Sequence, residues 1–111
     1  MAFKGDLETL ILGALQHEAL HGYEISKRIR AASPEALSVA EGRLYPALHA
    51  LERDGLVTAT WVPCEGKPAK KVYTLTDSGK AELAKKKQAW QAFAEGVAQL
   101  LTSPKPEAKH A

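Results

Sequence analysis

The fold of this 111-residue chain is decided by residues 41–52, EGRLYPALHALE. Leu44, Leu48 and Leu51 recur at the i, i+4, i+7 spacing of one apolar helical face. A helix with this pattern buries that face and presents its remaining residues to solvent or to a partner. Pro46 lies inside the pattern and has no backbone N–H, so we expect a bend, or a helix that begins later than residue 38.

Both ends of this helix carry sequence signals. Ser38 and Glu41 have the spacing of a capping box, in which the hydroxyl caps the first turn and the glutamate bonds back to the cap. Gly55 stands where a helix commonly ends in a left-handed conformation. These signals predict a helix that occupies most of residues 38–54.

Two shorter helices are predicted upstream. The first begins near Asp6, an N-cap candidate, and ends at residues 17–20. Its apolar stripe consists of Leu7, Leu10, Ile11, Ala14 and Leu15. The second follows Gly22 and is broken by Ser33 and Pro34, because a residue before proline avoids helical backbone.

A β-hairpin is predicted downstream of the third helix. Residues 57–62 and 71–75 are rich in strand-forming side chains. Residues 63–70 between them have turn composition, with two prolines and a glycine. We therefore expect a hairpin with a loose tip.

A fourth helix of about 24 residues, or about 36 Å, is predicted after candidate caps at residues 76–78. Leu83, Trp90 and Val97 recur every seven residues along it, with Phe93 on a neighbouring position. A small domain does not need a helix of this length, and long helices of this kind usually find a partner helix.

Composition narrows the function classes. One small domain of 45% hydrophobic and 25% charged residues is ordinary for a soluble protein and too small for two lobes that enclose a substrate. The net charge of +2 is mild, but residues 61–111 hold nine basic and five acidic residues. The N-terminus lacks the pattern of a signal peptide, and no apolar run approaches a membrane span. We expect a cytoplasmic protein without a membrane partner.

Metal and catalytic chemistry have little support in the sequence. Cys64 is the only cysteine, so no disulfide forms within the chain. His17 and His21 have metal-ligand spacing, but residues 20–22 fall at a break between helices. No catalytic triad, paired carboxylates or phosphate-binding glycine loop has supporting context. We therefore predict no metal, no cofactor and no enzymatic activity.

The order of these elements is that of a winged helix-turn-helix followed by a long C-terminal dimerisation helix. This is a mainly α fold with a small β-hairpin, in the α+β class. The residues themselves resemble the PadR family of bacterial transcriptional regulators over roughly residues 6–101. The blocks that carry the resemblance are residues 20–25, 41–52, 55–57, 71–76 and Gly79.

The chain lacks the long C-terminal extension of larger PadR members and is similar to the compact branch, which includes multidrug-sensing regulators. It departs from the family pattern at two positions. Arg43 stands where many members have threonine, and Val72 stands where a second tyrosine is common. The first departure bears on which bases are read, and the second bears on packing.

Candidate DNA contacts lie on the side of the third helix that faces away from the core. By helical rotation this side holds Gly42, Pro46 and His49, flanked by Arg43 and Tyr45. Periodicity alone is equally consistent with an ordinary solvated face. The resemblance favours DNA, with Gly42 permitting close approach and Arg43 pairing with guanine or phosphate.

Further contacts are predicted from the second helix and from the hairpin. The resemblance places Tyr23 near the phosphate backbone, although a packing role is also open. Ser38 is a cap that can also touch phosphate. A third set consists of the hairpin lysines Lys67, Lys70 and Lys71. A lysine cluster is often just solvated, but next to a recognition helix it is suited to phosphate contact.

The last candidate set lies on the fourth helix and consists of Leu83, Trp90, Phe93 and Val97. An aromatic residue at helical spacing is commonly core, and here that core is a dimer interface. Compact PadR members place a tryptophan at the position of Trp90, where paired rings face a pocket for flat aromatic compounds. The two roles remain open at this point.

The sequence therefore predicts a homodimeric regulator of transcription, a repressor that binds double-stranded DNA at an inverted-repeat operator. Release by a small aromatic or hydrophobic effector stays open, together with the role of Trp90. We assign residues 1–76 to the winged helix-turn-helix, 77–101 to the dimerisation helix and 102–111 to a flexible tail. The alternative is a dimeric winged-helix module that binds proteins and not DNA.

Overall fold

The computed structural model of the protein describes residues 7–32 and 39–106. Asp6, Ser33, Pro34 and Ser38, to which the sequence assigned caps and a helix break, lie outside these residues. The chain forms α1 (Leu7–Ala14), β1 (Leu20–His21), α2 (Gly22–Ala32), α3 (Glu41–Arg53), β2 (Val57–Cys64), β3 (Lys67–Leu75) and α4 (Asp77–Thr102).

The core lies between the first three helices and one face of the sheet. The predicted stripe of α3 is confirmed, since Leu44, Leu48 and Leu51 are all buried. The stripe of α1 is confirmed in part: Ile11, Ala14 and Leu15 are buried, but Leu7 and Leu10 are only partly so. Helix α1 also ends at Ala14, earlier than predicted.

The sheet has three antiparallel strands in the order β1-β3-β2. Strand β1 is two residues long and pairs Leu20 with Tyr73. The sequence carried no signal for this strand, because two residues show no periodicity. Its pairing holds the start of α2 against the hairpin.

The predicted loose tip of the hairpin is wrong. Strand β2 continues to Cys64 and β3 begins at Lys67, so the turn consists of Glu65 and Gly66 alone. Gly66 has φ 69°, which a glycine adopts without strain. A register shift near the turn accommodates the two prolines, and the hairpin projects as an ordered two-stranded arm.

Helix α3 begins at Glu41, later than Ser38. Its N-cap is Ala40, which forms no side-chain capping bond. The capping box predicted from Ser38 and Glu41 lies outside the part of the chain whose side chains the structure describes. The prediction for Gly55 is confirmed, with φ 76°. The N–H groups of Gly55 and Leu56 donate to Glu52 and Leu51 in a Schellman arrangement that ends the helix.

Helix α4 has 26 residues, close to the predicted length. Thr76 caps it: its hydroxyl accepts from the Gly79 N–H at 3.0 Å and donates to the Gly55 carbonyl at 2.6 Å. The first turns pack on α1 and β3, where Lys86 lies 3.7 Å from Glu8. In the described part of the chain, no helix is both long and apolar enough to cross a bilayer.

Candidate nucleic-acid interface

Helix α3 presents one continuous exposed face beside the hairpin. Gly42, Arg43, Tyr45, Pro46 and His49 are all exposed on it. A Cβ at Gly42 would meet nothing within 4 Å, so this part of the helix is open to a close-fitting partner. The predicted exposure of this face is confirmed, and its contact with DNA remains a prediction.

A cleft of about 390 Å³ lies between α3, the start of α2 and the hairpin. On the helical side it is lined by Tyr23, Tyr45 and His49. The Tyr45 ring lies over Gly22, where an added Cβ would come within 2.6 Å of the ring. The glycine therefore allows the ring to settle against the N-terminus of α2.

The start of α2 is fixed by a reciprocal cap that the sequence analysis did not identify. The His21 N–H donates to the Glu24 carboxylate at 3.1 Å, and the Glu24 N–H donates to His21 Nδ1 at 3.3 Å. This is the geometry of a capping box with histidine at the cap. It fixes the first turn of α2, on which Tyr23 lies exposed with Lys27 5.4 Å above its ring.

The hairpin side of the cleft contains a residue to which the sequence analysis gave no binding role. Trp61 is 64% exposed and pairs across the strands with Lys71, so the two side chains share one face. This is the face that buries Val57 and Tyr73 nearer the core. Period-2 alternation from Val57 through Ala59 to Trp61 could have indicated it, since it places an aromatic ring on the inner face beyond the core's edge.

The three hairpin lysines are in different environments. All three lie in strand β3 and not in a loop: Lys67 is its first residue, exposed beside the turn, and Lys70 and Lys71 lie further along it. Lys71 Nζ lies 3.1 Å from the Glu52 carboxylate, and this hydrogen bond raises the pKa of the Lys71 ammonium. Lys71 therefore interacts with a carboxylate of its own chain, and a phosphate would have to compete with Glu52 for it.

The predicted set on α4 divides into two. Leu83 is only 6% exposed within the single chain and belongs to the core with α1 and β3. The prediction that it lines a dimer interface is corrected, because α1 and β3 already cover it within the single chain. Trp90 and Phe93 are 42% and 47% exposed, with ring centroids 5.6 Å apart.

Further along α4, Val97 is half-buried, and Leu100 and Leu101 are largely exposed. The C-terminal half of the helix thus carries an apolar stripe that the rest of the described chain leaves open to solvent.

The predicted break between His17 and His21 is present: the two do not share a helical turn, because α1 ends at Ala14. Within residues 7–32 and 39–106, no group of three or more His, Cys, Asp or Glu side chains could hold a metal.

The model of the transcriptional regulator PadR-like family matches residues 11–85. The chain is 38% identical over 77 residues to the negative transcriptional regulator PadR of Bacillus subtilis, covering 69% of this chain and 42% of that protein. A PadR-like regulator from Bacillus cereus superposes with a TM-score of 0.78 at 32% identity, over 91% of this chain and 96% of the other.

A third similar structure is Bacillus subtilis PadR in complex with operator DNA. It superposes with a TM-score of 0.67 at 31% identity, over 95% of this chain and 52% of the other. The chain spans about two fifths of the length of two curated relatives, which it matches over 75 and 77 residues.

The fold is that of a winged helix-turn-helix protein. Helix α3 presents an exposed face, the β2–β3 hairpin beside it is the wing, and the long helix α4 follows. The protein belongs to the PadR-like family of transcriptional regulators. The family and the curated relatives named above are regulators of transcription and not enzymes.

Proposed function

We propose that the protein is a sequence-specific, DNA-binding repressor that acts as a homodimer in the cytoplasm. The observation that carries the proposal is the exposed face of α3, which offers Arg43 and His49 beside a wing with lysines. Two relatives support it: one is named a negative transcriptional regulator, and one was solved in complex with operator DNA.

In this proposal the two α3 helices of a dimer enter successive major grooves about 34 Å apart, and the operator is an inverted repeat. Gly42, Arg43, Tyr45, Pro46 and His49 form the surface that faces the bases. Tyr23 and the hairpin lysines bind phosphates, which supplies affinity without reading sequence.

The apolar stripe of α4 supports the dimer. Exposed apolar surface costs roughly 25 cal/mol per Å², so pairing two copies of Trp90, Phe93 and Val97 is favourable. We propose further that the neighbouring rings of Trp90 and Phe93 bind a small planar aromatic effector. Its binding would change the separation of the two wings through α4.

The test is selection of bound duplexes from genomic fragments, followed by fluorescence anisotropy with the selected operator over a salt series. A DNA-binding dimer loses affinity linearly in log–log form as salt rises. Lys85→Gln, which removes one exposed charge on α4, is the matched control and should leave the slope unchanged. A protein-interaction module would select no duplex and show no salt-dependent binding.

The effector is tested by tryptophan fluorescence. Planar aromatic compounds should quench the emission saturably, and Trp90→Ala should abolish their binding. Trp61→Ala is the control, because Trp61 lies on the hairpin and not on α4. Saturable binding that survives Trp90→Ala would contradict this location of the site.

A further inference from the structure

Three exposed aromatic rings converge on the cleft beside α3. Tyr23, Tyr45 and Trp61 come from a helix start, a helix middle and a strand, yet all line the same 390 Å³ space. Each ring leaves apolar surface in water. A cluster of exposed aromatic residues on a folded protein commonly marks a contact surface.

The side chains that line the cleft offer hydrogen-bond donors and no carboxylate acceptor. Its rings carry phenol O–H and indole N–H donors, and His49 adds another. None of the nine lining residues bears a carboxylate. The nearby carboxylate, Glu52, is hydrogen-bonded to Lys71, so its negative charge is paired beside the cleft.

Donors interleaved with apolar rings match an anion attached to an apolar group. The DNA backbone has this chemistry, because phosphate oxygens accept hydrogen bonds and deoxyribose packs against rings. His49 also belongs to the exposed face of α3, so the cleft is continuous with the surface that we propose for base contact.

We propose that this cleft binds one segment of the DNA sugar-phosphate backbone, and that Trp61 is the wing residue that contacts it. The inference rests on the proposed DNA-binding function and assigns a contact residue to it. Strand pairing with Lys71 holds the Trp61 backbone in register, so the ring reaches the cleft from an ordered element.

Trp61→Ala tests the proposal in anisotropy titrations with the selected operator and with a random-sequence duplex. We expect both affinities to fall by a similar factor, about five- to tenfold, since backbone contacts carry no sequence information. The salt slope should remain unchanged, because the lost side chain is neutral. Trp61→Phe, which keeps a ring but loses the N–H, should fall between wild type and Trp61→Ala.

The matched control is Val62→Ala. Val62 is the next residue on the same strand, is 42% exposed and points to the opposite face of the sheet. Its substitution should leave both affinities unchanged. Thermal unfolding of both variants should remain close to wild type, since both side chains are exposed.

A second readout uses the tryptophan emission itself. Duplex addition should change the emission of wild-type protein, and most of this change should be absent from Trp61→Phe. If wild type binds duplex but Trp61→Ala binds as tightly as Val62→Ala, this inference is wrong and the proposed function stands. If wild type binds no duplex at all, both are wrong.

Discussion

Arg43 occupies the first turn of α3, where it is exposed beside the open surface at Gly42. A guanidinium in this position can bind guanine through two parallel hydrogen bonds. Arg43→Ala should therefore weaken operator binding and relax the base preference, by about 1–3 kcal/mol at the contacted base pair. Titrations with single-base variants of the operator measure this loss.

Arg43→Lys is the control for charge. Lysine keeps the positive charge but lacks the planar fork, so part of the affinity should remain while the base preference falls. Identical base preferences in wild type and Arg43→Ala would show that this residue does not read sequence.

Lys70 and Lys71 are neighbours in β3, but only Lys71 is bound to a carboxylate in the described part of the chain. Lys70→Gln should flatten the salt dependence by roughly one unit per lost phosphate contact in each half-site. Lys71→Gln should flatten it less, because Glu52 already holds that ammonium. Equal flattening by the two substitutions would contradict this assignment. Salt titrations of the two variants, measured side by side, give the comparison.

Glu52→Gln tests the same ion pair from the other side, because it removes the carboxylate and keeps the Lys71 ammonium. The hydrogen bond with Glu52 raises the pKa of the Lys71 ammonium above its ordinary value of 10.5. The stability that this pair contributes is present below pH 10.5 and is lost as the pH rises through the raised pKa. Releasing Lys71 by Glu52→Gln should steepen the salt slope and tighten DNA binding.

At the scale of elements, the joint between the hairpin and α4 depends on a close backbone approach. A Cβ at Gly79 would overlap the Leu56 carbonyl oxygen, which accepts from the Thr76 N–H at 3.1 Å. Gly79→Ala should lower the free energy of unfolding by about 1–3 kcal/mol, although alanine favours helix. Urea unfolding measures the change.

Gly96→Ala provides the control on the same helix. A Cβ there meets nothing within 4 Å, so the substitution should leave stability unchanged or raise it by up to about 1 kcal/mol. A Gly79→Ala variant as stable as Gly96→Ala would show that the joint tolerates a shift of α4.

At the scale of the whole molecule, α4 belongs to two cores. Leu83→Ala should destabilise each chain by about 2–5 kcal/mol at every protein concentration, because Leu83 is buried within the chain. Trp90→Ala should instead weaken the dimer, by an amount of the order of 3–5 kcal/mol, and leave the winged helix-turn-helix of each chain folded. Sedimentation and unfolding at several concentrations separate the two effects.

Gln91→Ala, one residue further along α4 and exposed, should leave the dimer unchanged. A wild-type protein that sediments as a monomer at micromolar concentration would end the dimer proposal. The proposed operator symmetry and the effector site between paired rings would then fail as well.

Much of the fold followed from the sequence alone. The 3.6-residue periodicity of α3, the glycine that ends it and the cap at Thr76 act over a few neighbouring residues, so their signals are local. The same holds for the exposed face of α3, since burial of Leu44 and Leu48 determines which residues lie opposite.

Only the tertiary structure determined the features that depend on contacts between residues far apart in the chain. Strand β1 forms only because Leu20 pairs with Tyr73 of β3, and the hairpin tip is ordered because Cys64 pairs with Lys67. Leu83 and Trp90 have the same spacing pattern, yet one is buried in the chain and the other exposed, because α1 and β3 cover only the first turns of α4. The Lys71–Glu52 pair and the position of Trp61 in the cleft likewise require α3 and the hairpin to meet, and periodicity along the chain carries no information about which partner a side chain will find.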